Sequence, residues 1–391
     1  MRVLLITGEF PPMQGGVGDY TREVGLALAA QGCEVQVVTS VQGGPVSGLD
    51  VRPLVARWGW GCWRTLRRAV ADFCPDVVHV QYQAAAYGLH PAINLFPRRL
   101  RLDPDRPRTA VTFHDLKVPY LFPKAGRLRD WIVTELARGS DSAITTNRED
   151  FEELGRRLAS PPALIPIGSN IRPRLPEGYE RDAVRARYGA GRGDLLISFF
   201  GFVNDRKGVD TLLRALALLA EGGDGLNPRL LMIGGQTGAS DPTNVAYLAR
   251  MQQLMARLGV EERVAWTGYV EAEEVSAAFL AADVCALPFR DGVSFLHGTF
   301  HAALVHGVPI VTTRPRLALP ELVHGENVWF VPPQDPEALA AAIGHLAAAP
   351  EQRRALGRGA AALADEFRWD RIAAGTIQLY RRLGAGEEPD A

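Results

Sequence analysis

Short apolar runs rich in β-branched residues alternate with amphipathic stretches from one end of the chain to the other. In the first half, Val3–Thr7, Glu34–Thr39, Val77–Gln81, Thr109–Phe113, Ser142–Thr145 and Ala163–Ile165 predict strands. In the second half, Leu195–Phe200, Arg229–Ile233, Val264–Trp266, Val284–Leu287, Pro309–Thr312 and Val328–Val331 do the same. Between them lie stretches such as Tyr20–Gln31, whose apolar residues recur at three and four positions, the helical period. Strands separated by crossover helices imply parallel sheets with right-handed connections. The expected fold class is therefore α/β, with doubly wound, Rossmann-like domains.

A chain of 391 residues is long enough for two such domains. The stretch Arg172–Asp194 holds Pro173, Pro176 and four glycines, and reads as a linker carrying a short helix at Arg181–Tyr188. The expected organisation is a first domain over 1–171, a linker over 172–194, a second domain over 195–369 and a closing segment over 370–391. That segment holds a helix at Asp370–Leu383 and an acidic tail from Gly386. Two open sheets joined in this way are expected to present their strand C-termini to a shared cleft, where ligands bind in such folds.

Composition narrows the function classes. At 47% hydrophobic and 22% charged residues the chain is a folded globular protein, and a net charge of −1 gives it no global attraction to nucleic acid. Cys33, Cys62, Cys74 and Cys285 are scattered without a CxxC pair, which fits buried thiols in a reduced compartment. The opening apolar run, Val3 to Ile6, is too short for the core of a signal peptide and reads as a buried strand. No segment approaches the ~18 uninterrupted apolar residues of a membrane span. The expected location is the cytoplasm or the cytoplasmic face of a membrane.

Charge is unevenly spread: residues 51–131 carry 14 basic and 6 acidic side chains, a local +8 against −9 for the remainder. Within this region Arg57, Trp58, Trp60, Trp63, Arg64, Arg67 and Arg68 combine tryptophan with arginine. That combination favours an anionic membrane interface, although tryptophans also fill cores.

Candidate chemistry lies in four loops. Glu9–Asp19 contains Gly15, Gly16 and Gly18 ahead of a helix, where backbone amides can approach an anion or a sugar; its spacing is not GxGxxG. His114 and Asp115 follow a strand and lie at its C-terminal mouth, whereas His79 falls inside a strand and reads as structural. Gly201–Gly208 follows the first strand of the second half, and its Lys207 can neutralise a diphosphate. Phe295–His306 reads as a helix whose first turn holds His297, Gly298 and Thr299, an anion site by its free amides and hydroxyl. His297 and His301 are spaced i, i+4, but the glutamate of HExxH is missing and no metal site is expected. Nucleophile-elbow and P-loop motifs are absent, which removes the main support for hydrolase and kinase readings.

Taken in order, these blocks resemble the family 4 retaining glycosyltransferases of GT-B architecture, over nearly the whole chain. The resemblance rests on Gly15-Gly16-Val17, Cys33 through Thr39, Asp76 through Gln81, Thr112 through Asp115 and Ile165-Pro166-Ile167-Gly168. It continues with Phe200 through Asp210, Thr267 through Val270, Ala282-Asp283-Val284, Gly307 through Val311 and Pro320 through Val323. Trp369 ahead of Tyr380 resembles the closing helix that returns to the first domain. The resemblance implies that Lys207 contacts the donor diphosphate and that His114 touches or orients the transferred sugar. It further implies a donor-binding set of Gly15, Gly16, Gly201, Ser294, Gly298, Thr299 and Glu321. Three positions depart from the family pattern. Phe202 stands where an arginine is usual, and Ser294 and Ala302 replace its paired glutamates.

The expected activity is transfer of a sugar from a nucleotide-sugar donor to a glycan, lipid-linked or small-molecule acceptor, with retention of configuration and without metal or other cofactor. Peripheral contact with an anionic membrane is an expected accessory. The competing expectations are a binding or scaffold protein that has lost turnover, as Phe202, Ser294 and Ala302 would allow, and an epimerase or phosphorylase of the same architecture.

Overall fold

The computed structural model describes residues 1–13, 15–116, 126–222, 225–235 and 242–385. The acidic tail from Gly386, and Lys117 and Lys124 of the basic region, lie outside the described residues. The chain divides into two compact units, Met1–Asn170 together with the segment from Arg368 onward, and Ile171–Phe367.

The first unit is built on seven parallel strands: β1 (Arg2–Thr7), β2 (Glu34–Ser40), β3 (Asp50–Val55), β4 (Val77–Tyr82), β5 (Arg108–Phe113), β6 (Ser142–Thr145) and β7 (Ala163–Leu164), in the order β3-β2-β1-β4-β5-β6-β7. Central β1 alternates its side chains between two cores. Leu4 and Ile6 pack with Val78, Val80 and Phe96 on one face, and Val3 and Leu5 with Val35, Val37 and Ile372 on the other. Burial on both faces explains why this strand reads as a continuous apolar run. Edge strand β3 escapes the hydrophobic pattern because Arg52, Pro53 and Leu54 are exposed, and Pro53 is tolerated there only because it sits on an edge.

The final helix, Trp369–Ala385, packs against the helix Gly16–Ala30. Trp369 Nε1 donates to the Ser169 carbonyl at 2.7 Å, and the Tyr380 hydroxyl pairs with His79 Nδ1. His79 Nε2 pairs with Thr112 Oγ1 at 2.8 Å, which makes this histidine a buried structural residue.

Two of the tryptophans of the basic region are also structural. Trp58 is buried and donates to Ser40 Oγ at 2.8 Å, and Trp63 donates to the Ala92 carbonyl at 2.8 Å. Trp60 is 52% exposed. No helix among the described residues is long and apolar enough to cross a membrane.

The second unit carries six parallel strands: β8 (Leu195–Phe200), β9 (Pro228–Ile233), β10 (Val264–Trp266), β11 (Val284–Leu287), β12 (Ile310–Thr313) and β13 (Trp329–Val331), in the order β10-β9-β8-β11-β12-β13. The stretch 172–194, expected to be a linker, is part of this unit. Its helix, Arg181–Arg187, packs on the helix Ala272–Ala281, and the buried guanidinium of Arg185 donates to the carbonyls of Ala281, Gly191 and Asp194 and to Asp283. Proline and glycine density marked the turns of this segment, but buried Arg185, the Arg181–Asp283 pair and the core residues Val184 and Ala190 join it to the fold.

Strand order reverses direction between β8 and β11, which makes the space beyond their C-terminal ends the topological switch point where open α/β sheets bind ligands. The loops after these two strands carry Gly201–Lys207 and Ser294–Thr299.

Candidate functional site

In the second unit the chain leaves β8 through Gly201, whose backbone lies in the left-handed region at φ +101°. A Cβ placed there would stand 2.4 Å from Lys207 Nζ and 2.7 Å from Thr299 Cγ2. Gly201, Lys207 and Thr299 are therefore packed together, from two loops nearly a hundred residues apart in sequence. Lys207 ends a short 3₁₀ turn, Asp205–Lys207, which is followed by Gly208 at φ +64°. A side chain on Gly208 would run into the Pro288 carbonyl at 2.0 Å, so the turn is pressed against the backbone that follows β11.

Lys207 forms no ion pair among the described residues, and its Nζ lies 5.9 Å from the centroid of the Phe199 ring. Burial brings its pKa down from 10.5 to about 8. A half-buried cation without a counter-anion is the feature an anionic ligand would complete.

The helix Gly298–Val305 starts beside this lysine, three residues later than the expected Phe295–His306 and with His297 as its N-cap. The amides of Gly298 and Thr299 take no partner among the described residues, and a Cβ on Gly298 would meet nothing within 4 Å. This end of the helix presents free N–H groups to open space. Ser294 is committed locally: its Oγ accepts the Leu296 N–H at 3.2 Å, and its own N–H donates to His297 Nδ1 at 3.2 Å. Glu321 lies one strand further out, in the segment between β12 and β13, where its carbonyl accepts Asn327 Nδ2 at 2.9 Å. Phe202 is exposed and packs on Gly235, and Ala302 is fully buried in the core of the unit. His301 is also buried, with Nε2 bonded to the Phe295 carbonyl at 2.8 Å.

In the first unit His114 directly follows β5. It is half-buried, its Nε2 pairs with Gln81 Oε1 at 3.0 Å, and the Tyr20 ring meets it edge-on at 4.5 Å. Burial pushes its pKa down to about 3, so the ring is neutral near pH 7.

The glycine loop departs from expectation. The helix begins at Gly16 instead of Tyr20, and the Glu9 carboxylate accepts the N–H groups of Val17 and Gly18 at 3.1 and 3.3 Å. The anion at this helix start is thus the chain's own. Burial raises the Glu9 pKa, and the two amides oppose that rise. Gly15 is required for space: a Cβ there would lie 2.1 Å from Glu9 Oε1, while Gly16 faces open space. Glu9 was legible only as an acid at the mouth of β1, since nothing in the spacing shows that it folds back eight residues later.

A model described as glycosyl transferases group 1 matches residues 194–349, and one described as glycosyl transferase 4-like domain matches residues 15–168. The D-inositol 3-phosphate glycosyltransferase of Streptomyces griseus subsp. griseus is 31% identical over 267 residues, covering 63% of this chain and 55% of its own length. The chain therefore spans about half of that curated relative. Among solved structures, the sucrose-phosphate synthase of Thermosynechococcus elongatus superposes with a TM-score of 0.76 at 23% identity, over 99% of this chain and 100% of its own. HepE of Anabaena, solved in complex with UDP, gives 0.76 at 16% identity, over 97% of this chain and 100% of its own. Both share the two-sheet fold.

Proposed function

The chain belongs to the glycosyl transferases of group 1, with the GT-B type of fold, and from that premise we propose that it moves a sugar from a nucleotide-sugar donor to an acceptor hydroxyl. The observation that carries this reading is the packing of Lys207 and Thr299 against the bare backbone of Gly201 at the switch point of the second sheet. An unpaired ammonium and two free helix amides suit a diphosphate leaving group. As the bond to the sugar breaks, negative charge grows on that group, and charges and dipoles already in position stabilise it without reorganisation. HepE structures that hold UDP and UDP-glucose support a nucleotide-sugar as donor.

In this reading transfer proceeds with retention of configuration and without metal. The departing phosphate takes the acceptor proton, so that no carboxylate base is needed. His114 contacts or orients the transferred sugar. The acceptor is a glycan, a lipid-linked sugar or a small molecule. A lipid-linked acceptor would suit the exposed set of Trp60, Arg57, Arg64, Arg67 and Arg68 on and before the helix Cys62–Phe73, which would meet the cytoplasmic face of an anionic membrane.

A thermal-shift screen of nucleoside diphosphates and nucleotide-sugars tests this reading. A ligand at ~100 times its Kd adds about 2.7 kcal/mol of stability. The matching nucleotide-sugar is then incubated with the protein in excess EDTA, and slow release of free sugar is expected. A protein that no nucleotide stabilises, and that leaves every donor intact, is a binding protein and not a transferase. Activity abolished by EDTA and restored by magnesium or manganese overturns the metal-free mechanism.

A further inference from the structure

The imidazole of His297 is fixed from two sides. Its ring stacks on Phe289, with centroids 3.9 Å apart and planes inclined by 18°. Phe289 is buried, and its carbonyl accepts Thr313 Oγ1 at 2.6 Å, so the stacking partner is itself tied to β12. On the other side Nδ1 accepts the backbone N–H of Ser294 at 3.2 Å. A backbone amide can only donate, so Nδ1 is the bare nitrogen and the neutral ring carries its proton on Nε2. That Nε2 has no partner among the described residues. Although His297 is the N-cap of the helix Gly298–Val305, its side chain makes no capping bond, and the amides behind it stay open.

The charges around the ring keep it neutral. Burial is the main cause, followed by the positive charge of Lys207; His301 and Arg206 act in the same direction and Asp291 opposes them. Together they bring the pKa down to about 4. A second cation beside Lys207 would repel it in a half-buried pocket, whereas a neutral N–H adds a directional donor at no such cost.

We infer that His297 donates a hydrogen bond from Nε2 to the leaving diphosphate of the nucleotide donor, as a third contact beside Lys207 and the Gly298–Thr299 amides. This inference rests on the glycosyltransferase reading and assigns a residue within it. The proton stays on the ring throughout, so His297 stabilises charge and does not act as a general acid.

Three variants test it, with UDP as the binding probe and sugar transfer as the kinetic readout. His297→Phe keeps a ring on Phe289 and removes both nitrogens; His297→Asn keeps an acceptor near the Nδ1 position; His297→Gln keeps a donor near the Nε2 position. The Phe and Asn variants are expected to lose about 10- to 100-fold in kcat and to bind UDP more weakly, and the Gln variant to recover most of both. The wild type is expected to show no acidic limb between pH 5.5 and 7. Phe and Asn variants with wild-type kcat and UDP affinity overturn the assignment. So does a wild-type limb in that range that vanishes on substitution, because it would mean a titrating acid. Should the Phe variant fail to fold, the comparison of Asn with Gln decides alone. A wild type that neither binds UDP nor transfers sugar defeats the functional reading itself, whereas an active wild type with unaffected variants defeats only the role of His297.

Discussion

Lys207 lies against the one atom of Gly201 from which a side chain would grow: a Cβ there would stand 2.4 Å from Nζ. The ammonium is thereby held on bare backbone at the end of β8, close to the start of the helix Gly298–Val305. Lys207→Ala is expected to lower transfer by at least ~100-fold with the fold intact. Gly201→Ala should do comparable damage by displacing the lysine, and should also lower stability, because φ +101° strains any residue other than glycine. Initial rates together with thermal unfolding separate the two effects; wild-type rates in a folded Lys207→Ala protein would remove the lysine from the mechanism.

The lowered pKa of Lys207 has a kinetic consequence. Since the protonated form is the useful one, kcat/KM should fall as pH rises through about 8 in the free enzyme. Bound diphosphate favours the charged form, so the corresponding limb in kcat should lie at higher pH. In Lys207→Arg, whose guanidinium does not titrate in this range, the limb should vanish from whatever activity remains. A basic limb unchanged in Lys207→Arg would assign it to another group.

Restoring the second family glutamate is expected to harm the protein. Ala302 is fully buried, and its carbonyl accepts a bond from His306 Nδ1. Ala302→Glu therefore forces a carboxylate into an apolar core without a partner. Both Tm and nucleotide affinity should fall. A tenfold rise in affinity would instead mean that the pocket is an eroded form of the family site.

Acid should weaken the first unit through His79. Burial, with a smaller contribution from His114, takes the His79 pKa from 6.5 down to about 3. Above pH 6.5 neither state binds the proton and the histidine is silent. Between about 6.5 and 3 the unfolded chain binds a proton that the fold refuses, and stability falls by at most about 1.4 kcal/mol per pH unit. Urea midpoints at pH 7, 6 and 5 should decline, and His79→Gln, though less stable at pH 7, should show a shallower decline. Parallel declines would exclude His79 as a source.

Membrane contact can be decided by flotation with neutral and anionic vesicles at low salt. Trp58 and Trp63 are engaged inside the first unit, so Trp60 and the arginines around it are the part of that motif left to meet a vesicle. The expected result is preferential recovery with anionic vesicles, reduced by Trp60→Ala and further by Arg64→Glu. Equal recovery with both vesicle types would leave the protein without a membrane preference.

Much of the architecture follows from local pattern alone. Ser142–Thr145, Leu195–Phe200 and Val284–Leu287 are strands with the boundaries their apolar runs predict, because a strand buried on both faces has no polar alternation to blur its ends; Val264–Trp266 also keeps its predicted bounds, as a half-buried edge strand. Lys207 and His114 could be placed at strand mouths for the same reason: a polar loop after a buried parallel strand falls at the C-terminal edge of its sheet. Thr299 was placed instead by the helix whose first turn it occupies. Edge strand β3 was hidden because its exposed side chains follow no hydrophobic period.

Tertiary structure decided everything that depends on distant side chains meeting. That Glu9 would take the amides of Val17 and Gly18, that Arg185 would bind a supposed linker into the second unit, and that His297 would turn its Nδ1 to Ser294 and stack on Phe289 are all choices among several partners. Periodicity reports which face of an element is buried, since burial acts on every turn or every second residue alike. A hydrogen bond or an ion pair depends on one distance and one angle, and those exist only once the sheets have brought the loops together.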